Sequence, residues 1–326
     1  MIIAVTGANG HVGVNLCKAL CAEGHEVRAF THKNSAGLKG LPVKIFKGDL
    51  LDYSSLLPFI QNAEVVIHLA ARISITGDPD GMVARINSEG TKNMVECALM
   101  CQVKRFIHFS SIHAFEQFPL NLPLDETRPI VTNKGFAYDR SKASAERIVM
   151  EAVKRGLNAV VLSPTAIIGP DDYEPSLIGQ AVLDLYNNKI PSLVPGGYDW
   201  IDVRDIVSAA IVSIEKGRTG EKYLLSGHWH SLQEFSGLIS LHSGKKTIQT
   251  VLPLWSARLG LPFITLFSKL TGVKPLYTSE SLTIISEGNR LISNAKARME
   301  FGFNPRPLSD TIRDMIGWFK ENGYLK

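Results

Sequence analysis

The chain has 326 residues, of which 45% are hydrophobic and 20% charged, and its net charge is +4. This length and composition predict a globular protein with a large core, built as one large domain or two closely joined ones. The lysines and arginines form no basic block typical of nucleic-acid binding, and no uncharged apolar run reaches the ~20 residues of a membrane span.

A strand, a glycine turn and a helix are predicted at the start of the chain. Residues 2–5 are apolar, as in a buried parallel strand, and three glycines follow at three-residue spacing. Such a turn leaves backbone N–H groups and the positive end of a helix free to bind a pyrophosphate. The alternative is a tight turn without a ligand. The predicted cofactor contacts are Gly7, Asn9, Gly10, His11, Val12 and Gly13. Because Met1 leads straight into the strand without a signal peptide, we expect a cytoplasmic protein.

The second predicted strand, 25–31, indicates which dinucleotide binds. Sites for NAD often carry an acid about 20 residues after the glycines, where it binds the ribose 2′-hydroxyl. This chain instead has Thr31, His32 and Lys33, with Lys39 close behind. Basic side chains attract a 2′-phosphate, so the sequence favours NADP, with NAD as the alternative if these residues only form a solvated loop.

The third and fourth strands are predicted at 43–46 and 64–69. Asp49 is placed to meet the edge of the adenine and Leu50 to pack on its face, whereas Asp52 is a predicted helix cap. Small residues at the end of the fourth strand leave room for a cofactor, since ligands bind at the carboxyl ends of such strands. The predicted contacts there are Leu69, Ala70 and Ala71.

Further alternation of helices and strands completes the predicted sheet. We predict helices at 87–100 and 139–155 and strands at 105–109 and 158–162. Six strands that alternate with helices are typical of an α/β fold with a doubly wound parallel sheet.

After Pro170 the alternation breaks down. We predict a helical excursion over the cofactor cleft at 171–197, a strand at 200–204, a helix with Asp205 as its N-cap, and a strand at 223–225. The chain is mostly helical from Ser231 onward. The apolar stretch 255–270 is predicted to be core of this part, with a lid over a lipophilic substrate or a membrane-surface contact as the alternative.

This pattern predicts two structural units. A Rossmann-type dinucleotide-binding domain would comprise residues 1–170 and 199–227. A smaller, mostly helical substrate domain would comprise 171–198 and 228–326.

Three residues are candidates for carbonyl chemistry. Ser111 follows the fifth strand, and Tyr138 and Lys142 lie one helical turn apart on one helix face. A tyrosine can give a proton to a carbonyl oxygen, and a neighbouring lysine together with a cationic oxidised nicotinamide is expected to lower the tyrosine pKa. Ser111 can donate a hydrogen bond to the same oxygen.

These motifs, in this order, resemble the extended short-chain dehydrogenase/reductase family. The resemblance is specific over residues 1 to 226 and continues loosely to the end of the chain. The matching segments are T-G-A-N-G-H-V-G at 6–13, G-D-L at 48–50, H-L-A-A at 68–71, N-S-E-G-T at 87–91, F-S-S at 109–111, Y-D-R-S-K at 138–142 and W-I-D-V-R-D at 200–205.

The resemblance implies a fold, a cofactor and a set of site residues. It implies a catalytic triad of Ser111, Tyr138 and Lys142, with Asn87 as a structural and relay residue. Further cofactor contacts are expected from Ser110, Tyr138, Lys142, Pro164 and Thr165. Relatives often form homodimers through helices that correspond to about 88–100 and 139–155.

Within the family the chain most resembles the dihydroflavonol reductase and 3β-hydroxysteroid dehydrogenase branch. The 4,6-dehydratases carry an Asp-Glu pair after the catalytic hydroxyl, where this chain has Ile112 and His113. These two residues, with Tyr198 and Trp200, are the predicted substrate contacts. The alternative for His113 is a packing role, and for Tyr198 and Trp200 it is anchoring of a strand.

The predicted function is an NADP-dependent oxidoreductase that acts on an alcohol or ketone of a small molecule. The first alternative is a nucleotide-sugar epimerase with tightly bound NAD. The second is a regulator that senses NADP without turnover.

We predict no metal site. The four cysteines form two pairs on helices that should cover opposite faces of the sheet, so we expect buried thiols in a reducing cytosol. His228 and His230 are predicted to be solvated. The cysteine pairs are Cys17 with Cys21 and Cys97 with Cys101.

Overall fold

Seven parallel strands form the central sheet of the computed structural model, which describes residues 1–271 and 277–325, with only the backbone for 263–271. Their order, β3-β2-β1-β4-β5-β6-β9, has the chain reversal of a doubly wound Rossmann-type sheet. The predicted fold class is therefore confirmed. The strands are β1 Ile2–Thr6, β2 Glu26–Thr31, β3 Lys44–Lys47, β4 Val65–His68, β5 Arg105–Phe109, β6 Ala159–Pro164, β7 Ala166–Ile168, β8 Gly197–Asp202, β9 Lys222–Leu225 and β10 His228–Ser231.

Helices cover both faces of this sheet. Helices α1 and α7 pack on one face, and α2, α4 and α5 pack on the other. The helices are α1 His11–Ala22, α2 Tyr53–Ile60, α3 Met82–Ala84, α4 Gly90–Met100, α5 Ala137–Lys154, α6 Leu177–Tyr186, α7 Val203–Lys216, α8 Leu232–Ser243, α9 Leu254–Thr271, α10 Ser279–Glu287, α11 Ala295–Phe301 and α12 Leu308–Glu321.

Because helices cover both faces of the sheet, successive residues of β1 are apolar. Along β1, Ile3 and Val5 face the layer of α1 and α7, and Ala4 faces the opposite layer. All three side chains are fully buried. Burial of a side chain as large as isoleucine contributes roughly 1.5–3 kcal/mol. Packing on both faces therefore holds β1 inside the sheet.

Beyond β6 the structure corrects several predicted bounds. The helix predicted at 171–197 spans only Leu177–Tyr186, and the strand predicted at 200–204 is β8. Strand β8 belongs to a separate three-stranded sheet of order β10-β8-β7. His228 and His230 lie in β10, where both are partly buried, and not in a solvated loop.

Asp202, and not Asp205, is the N-cap of α7. The Asp202 side chain accepts from the Arg204 backbone N–H at 2.8 Å. The Asp205 carboxylate is turned instead to the last part of the chain, where Arg306 Nε donates to it at 2.8 Å. The prediction failed because a basic partner 101 residues away cannot be read from local sequence.

The cysteine pairs lie on opposite faces of the sheet, as predicted. Cys17 packs in the layer of α1, and Cys97 packs in the layer of α4. Burial raises the pKa of the Cys17 thiol to about 12, and that of Cys97 to about 11. Both are therefore thiols near neutral pH.

The C-terminal helices pack around β7 and β8. Their core includes Phe235, Met315 and Phe319. On α9, Leu261 packs inward while Trp255 and Leu259 are two-thirds exposed. The rest of the predicted stretch 255–270, from residue 263 on, has side chains outside the described residues. Within the described part of the chain, every helix falls short of the length or apolarity needed to cross a membrane.

Candidate active site

The glycine turn between β1 and α1 leaves no room for a side chain at Gly7 or at Gly13. Gly7 has φ +67°, and a Cβ there would lie 2.8 Å from the Ala70 backbone N. A Cβ on Gly13 would lie 2.2 Å from the Gly7 carbonyl O. Gly10 precedes α1 without a capping side chain, and the first turn carries no acid. The free N–H groups and the helix dipole therefore fit a pyrophosphate.

Two polar side chains of the turn hold neighbouring loops. Asn9 Oδ1 accepts from the Gly37 backbone N–H at 2.9 Å, and His11 Nε2 lies 2.9 Å from the Pro170 carbonyl O. Val12 packs against the core. These contacts fix the turn against the loops at Gly37 and Pro170.

The predicted adenosine end of the site contains basic side chains and one acidic side chain. Thr31 is buried at the end of β2, and His32, Lys33 and Lys39 are exposed. His32 Nε2 lies 3.8 Å from Asp49 Oδ2. An acid is thus present, but it comes from the segment after β3 and not from the end of β2.

The segment after β3 is fixed by its own hydrogen bonds. Asp49 Oδ1 accepts from the Leu51 backbone N–H at 2.9 Å, and Leu50 is buried against Gly90. The Asp52 side chain accepts from the Ser54 backbone N–H, so its prediction as the cap of α2 is confirmed.

A buried polar network joins the ends of β1 and β4. Thr6 Oγ1 lies 2.7 Å from His68 Nδ1 and accepts from the Ala70 backbone N–H at 3.2 Å. His68 Nε2 lies 3.1 Å from Thr91 Oγ1, which donates to the Asn87 carbonyl at 2.6 Å. The network positions the predicted contacts Leu69, Ala70 and Ala71 beside the glycine turn.

The three candidate catalytic residues meet at the carboxyl end of β5. Ser111 is buried two residues after the end of β5, and its hydroxyl interacts with the Tyr138 phenol from the start of α5. One turn further along α5, Lys142 is buried, and its ammonium donates to the Phe109 carbonyl at the end of β5. A substrate oxygen between Ser111 and Tyr138 would meet two hydroxyl donors.

Burial governs the protonation of this group. It raises the pKa of Tyr138 to about 12, with Asp139 adding to the rise and Ser111 opposing it. Burial lowers the pKa of Lys142 to about 8, opposed by Glu146. Desolvation thus sets the direction of the Tyr138 pKa shift in this structure, and the expected lowering by Lys142 together with an oxidised nicotinamide stays a prediction.

A buried carboxylate, that of Glu146, also lies on α5. Glu146 accepts from Ser110 Oγ at 2.7 Å and pairs with Lys222 Nζ at 2.5 Å. The Ser110 hydroxyl is thus occupied by protein, and its backbone N–H donates to the Leu162 carbonyl at 2.8 Å, which leaves its own carbonyl for the predicted cofactor contact.

Asn87 connects two segments of the site. It lies in a π-helical turn, Arg85–Glu89, where its side chain accepts from the Arg72 backbone N–H at 2.7 Å. Its Nδ2 donates to Ser141 Oγ at 2.8 Å, and Ser141 Oγ donates to the Tyr138 carbonyl at 2.7 Å. The amide therefore ties the segment after β4 to the start of α5.

His113 lies beside the candidate triad. Its Nδ1 is 3.4 Å from Asp139 Oδ1, and its ring packs edge-on against Tyr138 with centroids 6.1 Å apart. Ile112 is buried in the adjoining core. Glu280, from the start of α10, interacts with both Asp139 and His113.

The side chains of the remaining predicted contacts mostly contact other parts of the protein. Thr165 Oγ1 donates to Asp199 Oδ1 at 2.7 Å, while Pro164 ends β6. Trp200 is buried and stacks on Phe235, so its indole is part of the core and is not exposed to a substrate. Tyr198 is half-buried, and burial raises its pKa.

Sequence reasoning missed two kinds of site residue. Asp139 and Ser141 lie inside the Y-D-R-S-K motif, so the motif itself could have drawn attention to them. Glu280 lies far from Tyr138 along the chain, in a region without a recognisable motif, and no sequence signal pointed to it.

The chain is similar to several known proteins. Residues 3–226 match the model of the NAD dependent epimerase/dehydratase family. The chain is 31% identical over 336 residues to sterol demethylase protein B of Methylococcus capsulatus, with 100% of both chains covered.

It is also 29% identical over 262 residues to 4-hydroxy-2-methyl-3-oxo-4-farnesyl-3,4-dihydroquinoline-1-oxide ketoreductase of Stigmatella aurantiaca, covering 78% of this chain and 77% of that one. The crystal structure of gox2253 superimposes with a TM-score of 0.86 at 28% identity, covering 100% of this chain and 99% of that one.

Proposed function

Since the chain belongs to the NAD dependent epimerase/dehydratase family, we propose that it transfers a hydride between NADP and the alcohol or ketone group of a small molecule. The chain is an NAD(P)-dependent oxidoreductase of the extended short-chain dehydrogenase/reductase type. The choice of NADP, the substrate and the residue roles below are the proposal. We assign dinucleotide binding to residues 1–170 and 199–227 and substrate binding to the remainder.

The grouping of Ser111, Tyr138 and Lys142 at the edge of the sheet that also carries the glycine turn is the observation that supports the proposal. When bound, the nicotinamide supplies or accepts the hydride. Tyr138 exchanges the proton with the substrate oxygen, and its raised pKa of about 12 keeps the phenol protonated and ready to donate near neutral pH. Ser111 donates a hydrogen bond that holds the same oxygen in place.

Lys142 has two proposed roles. Its ammonium anchors the ribose hydroxyls of the nicotinamide half, and its charge stabilises the Tyr138 phenolate that forms when the proton leaves. A pKa of about 8 makes that charge sensitive to pH just above neutrality. Asn87 is the positioning residue for the start of α5, through Ser141.

The proposed preference for NADP is supported by the surroundings of β2. No acid ends this strand, and the exposed His32, Lys33 and Lys39 offer positive charge for a 2′-phosphate. Asp49 near His32 opposes this preference, so the two lysines carry it.

The names of two relatives support a lipophilic substrate class. One name mentions a sterol and the other a farnesylated quinoline ketone. We therefore propose that the substrate carries its alcohol or ketone on a largely apolar body.

Hydride transfer is tested by NADPH oxidation with a steroid ketone, androstanone, in the wild type and in Tyr138→Phe. Loss of the proton donor is expected to lower turnover by about 10²–10⁴-fold. Tyr53→Phe, at an exposed tyrosine outside the site, is the matched control and should keep full turnover. Full biological activity of Tyr138→Phe would favour a sensor without turnover.

Cofactor preference is tested by titration with NADPH and NADH, after the purified protein is checked for retained nucleotide. Lys33→Ala is expected to weaken NADPH binding by about tenfold and NADH binding much less, since a lost ion pair to phosphate is worth about 1–2 kcal/mol. Lys92→Ala, an exposed lysine on α4, is the control. Tightly retained NAD would contradict the proposal and favour the epimerase.

A further inference from the structure

A buried ion pair lies one helical turn beyond Lys142, and the hydride transfer proposed above does not use it. The pair joins Glu146 of α5 to Lys222 of β9, with Lys222 Nζ 2.5 Å from Glu146 Oε1. We propose that these two are positioning residues for Lys142, which hold a negative charge beside its ammonium and so keep the ammonium charged above neutral pH. The inference rests on the proposed function, in which Lys142 anchors the cofactor ribose and stabilises the Tyr138 phenolate.

Glu146 and Lys142 bind neighbouring residues at the end of β5. The Lys142 ammonium donates to the Phe109 carbonyl, and the Ser110 hydroxyl donates to Glu146 Oε2 at 2.7 Å. Because residues four apart lie on the same face of a helix, the carboxylate and the ammonium face the same edge of the sheet. Both side chains are buried. The carboxylate therefore has a fixed place one turn from the ammonium.

Lys222 supplies the counter-charge that a buried carboxylate requires. An unpaired charge is costly in the interior of a protein, whereas a closely contacting pair is tolerated. One oxygen of Glu146 meets the Lys222 ammonium, and the other accepts from the Ser110 hydroxyl. The same ammonium lies 5.4 Å from the centre of the Phe115 ring. These contacts from two strands and the loop after β5 hold the negative charge of Glu146 in place.

The groups around Lys142 act on its charge in different directions. Burial lowers the pKa of Lys142 to about 8, and the charge of Glu146 opposes this effect. His68 on β4 and His108 on β5 also act on the ammonium, but burial lowers the pKa of both rings, so neither is charged near neutral pH. Tyr138, on the same helix, has a pKa of about 12 and is neutral as well. Among the described residues, Glu146 is the charged group that offsets the burial of Lys142.

The ion pair should therefore set the alkaline limit of activity. A lysine is charged below its pKa and loses its charge as pH rises through that value. Without the charge of Glu146 the pKa of Lys142 should fall, so activity should be lost at lower pH than in the wild type. A purely structural role for the ion pair would instead lower turnover equally at every pH.

The test is the pH dependence of kcat/KM for NADPH oxidation with androstanone, from about pH 6 to about pH 10. Glu146→Gln should move the alkaline limit downward by on the order of 1 pH unit, the effect of one buried charge a helical turn away. Glu146→Asp keeps the charge and should restore most of the wild-type limit. Glu151→Gln removes an exposed carboxylate from the same helix and is the matched control, which should leave the limit unchanged.

Two further measurements make the test independent of folding and of turnover. The double variant Lys222→Met with Glu146→Gln leaves no lone buried charge. It should lower the alkaline limit by no more than Glu146→Gln does, because it also removes the Lys222 cation. The NMR resonance of the Lys142 ε-carbon, assigned by its absence in Lys142→Met, reports the charge of the lysine directly in a pH titration without substrate.

The outcomes separate this inference from the proposed function. A downward shift of the NMR titration in Glu146→Gln, without NADPH oxidation by any of the proteins, would support the inference and contradict the proposed function for this ketone. NADPH oxidation with the same alkaline limit in the wild type and in Glu146→Gln would overturn the inference and leave the proposed function intact. A loss of turnover that is uniform across the pH range, with an unchanged NMR titration, would assign the ion pair to structure alone and overturn the inference as well.

Discussion

At the residue scale, the interior of the sheet contains two neutral histidines. His68 and His108 lie opposite each other on β4 and β5, with ring centroids 5.7 Å apart. Burial lowers the pKa of His68 to about 3, and Lys142 adds to the effect. Burial also lowers the pKa of His108 well below its usual value of 6.5. Neither ring is therefore protonated in the folded protein near neutral pH.

These pKa values predict a specific acid sensitivity. Below pH 6.5 the unfolded chain takes up protons on these rings while the folded chain does not, so stability falls as pH falls from about 6.5 towards 3. Each ring contributes about 1.4 kcal/mol per pH unit in this window.

The prediction is tested with His68→Gln. Between pH 7 and 5 the variant should lose about 2 kcal/mol less unfolding free energy than the wild type, although its stability at pH 7 is lower because contacts to Thr6 and Thr91 are weakened. Urea unfolding at both pH values measures the difference. His32→Gln, at an exposed ring, should lose as much unfolding free energy between pH 7 and 5 as the wild type. If His68→Gln also loses as much as the wild type, the buried neutral state of His68 is contradicted.

At the element scale, glycines serve different purposes in different helices. Gly13 is in the first turn of α1, where a Cβ would meet the Gly7 and Ala8 backbone at 2.2 and 2.7 Å. Gly317 is inside α12, where a Cβ would meet nothing within 4 Å. The close approach in α1 brings the helix onto the turn that precedes it, whereas Gly317 only weakens its helix.

Alanine substitutions at these two positions should change the stability of the protein in opposite directions. Gly13→Ala is expected to displace the turn, to destabilise the protein by about 1–3 kcal/mol through overpacking and to abolish dinucleotide binding. Gly317→Ala should stabilise by about 0.5–1 kcal/mol, the helix propensity gained. Thermal unfolding and NADPH titration of both variants provide the comparison. Unchanged NADPH binding in Gly13→Ala would argue against the glycine turn as the pyrophosphate site.

At the scale of the whole molecule, Glu146 joins the sheet to α5. Its carboxylate is fully buried between Ser110 at the end of β5 and Lys222 on β9. These contacts link the helix that carries Tyr138 and Lys142 to two strands. A buried charge of this kind is tolerated only while its partners remain.

Removal of the lysine alone should therefore be costly. Lys222→Met is expected to lower the unfolding free energy by about 3–5 kcal/mol, because it leaves a buried carboxylate without its cation. Adding Glu146→Gln should recover much of that loss. Lys104→Met breaks an exposed pair with Glu64 and should cost less than about 1 kcal/mol. Chemical denaturation of the four proteins measures these values, and equal losses for both single lysine variants would refute the argument.

The sequence by itself determined the order and type of the sheet-forming elements. Local signals suffice for these features, because a buried parallel strand needs an apolar run and a close turn needs glycine. The glycine turn at Gly7–Gly13, the cap at Asp52 and the position of Tyr138 one turn before Lys142 all follow from spacing within a few residues. The Ser111, Tyr138 and Lys142 roles remain predictions that the experiments above address.

Only the tertiary structure decided which charged groups face each other. Asp205 binds Arg306, and Asp202 caps α7 instead. Trp200 lies in the core, and Glu280 lies near His113 although the two are distant in the sequence. Burial also raises the pKa of Tyr138, an effect that the spacing of residues does not indicate. Packing between distant segments determines both partners and desolvation, and neither is encoded in local sequence spacing.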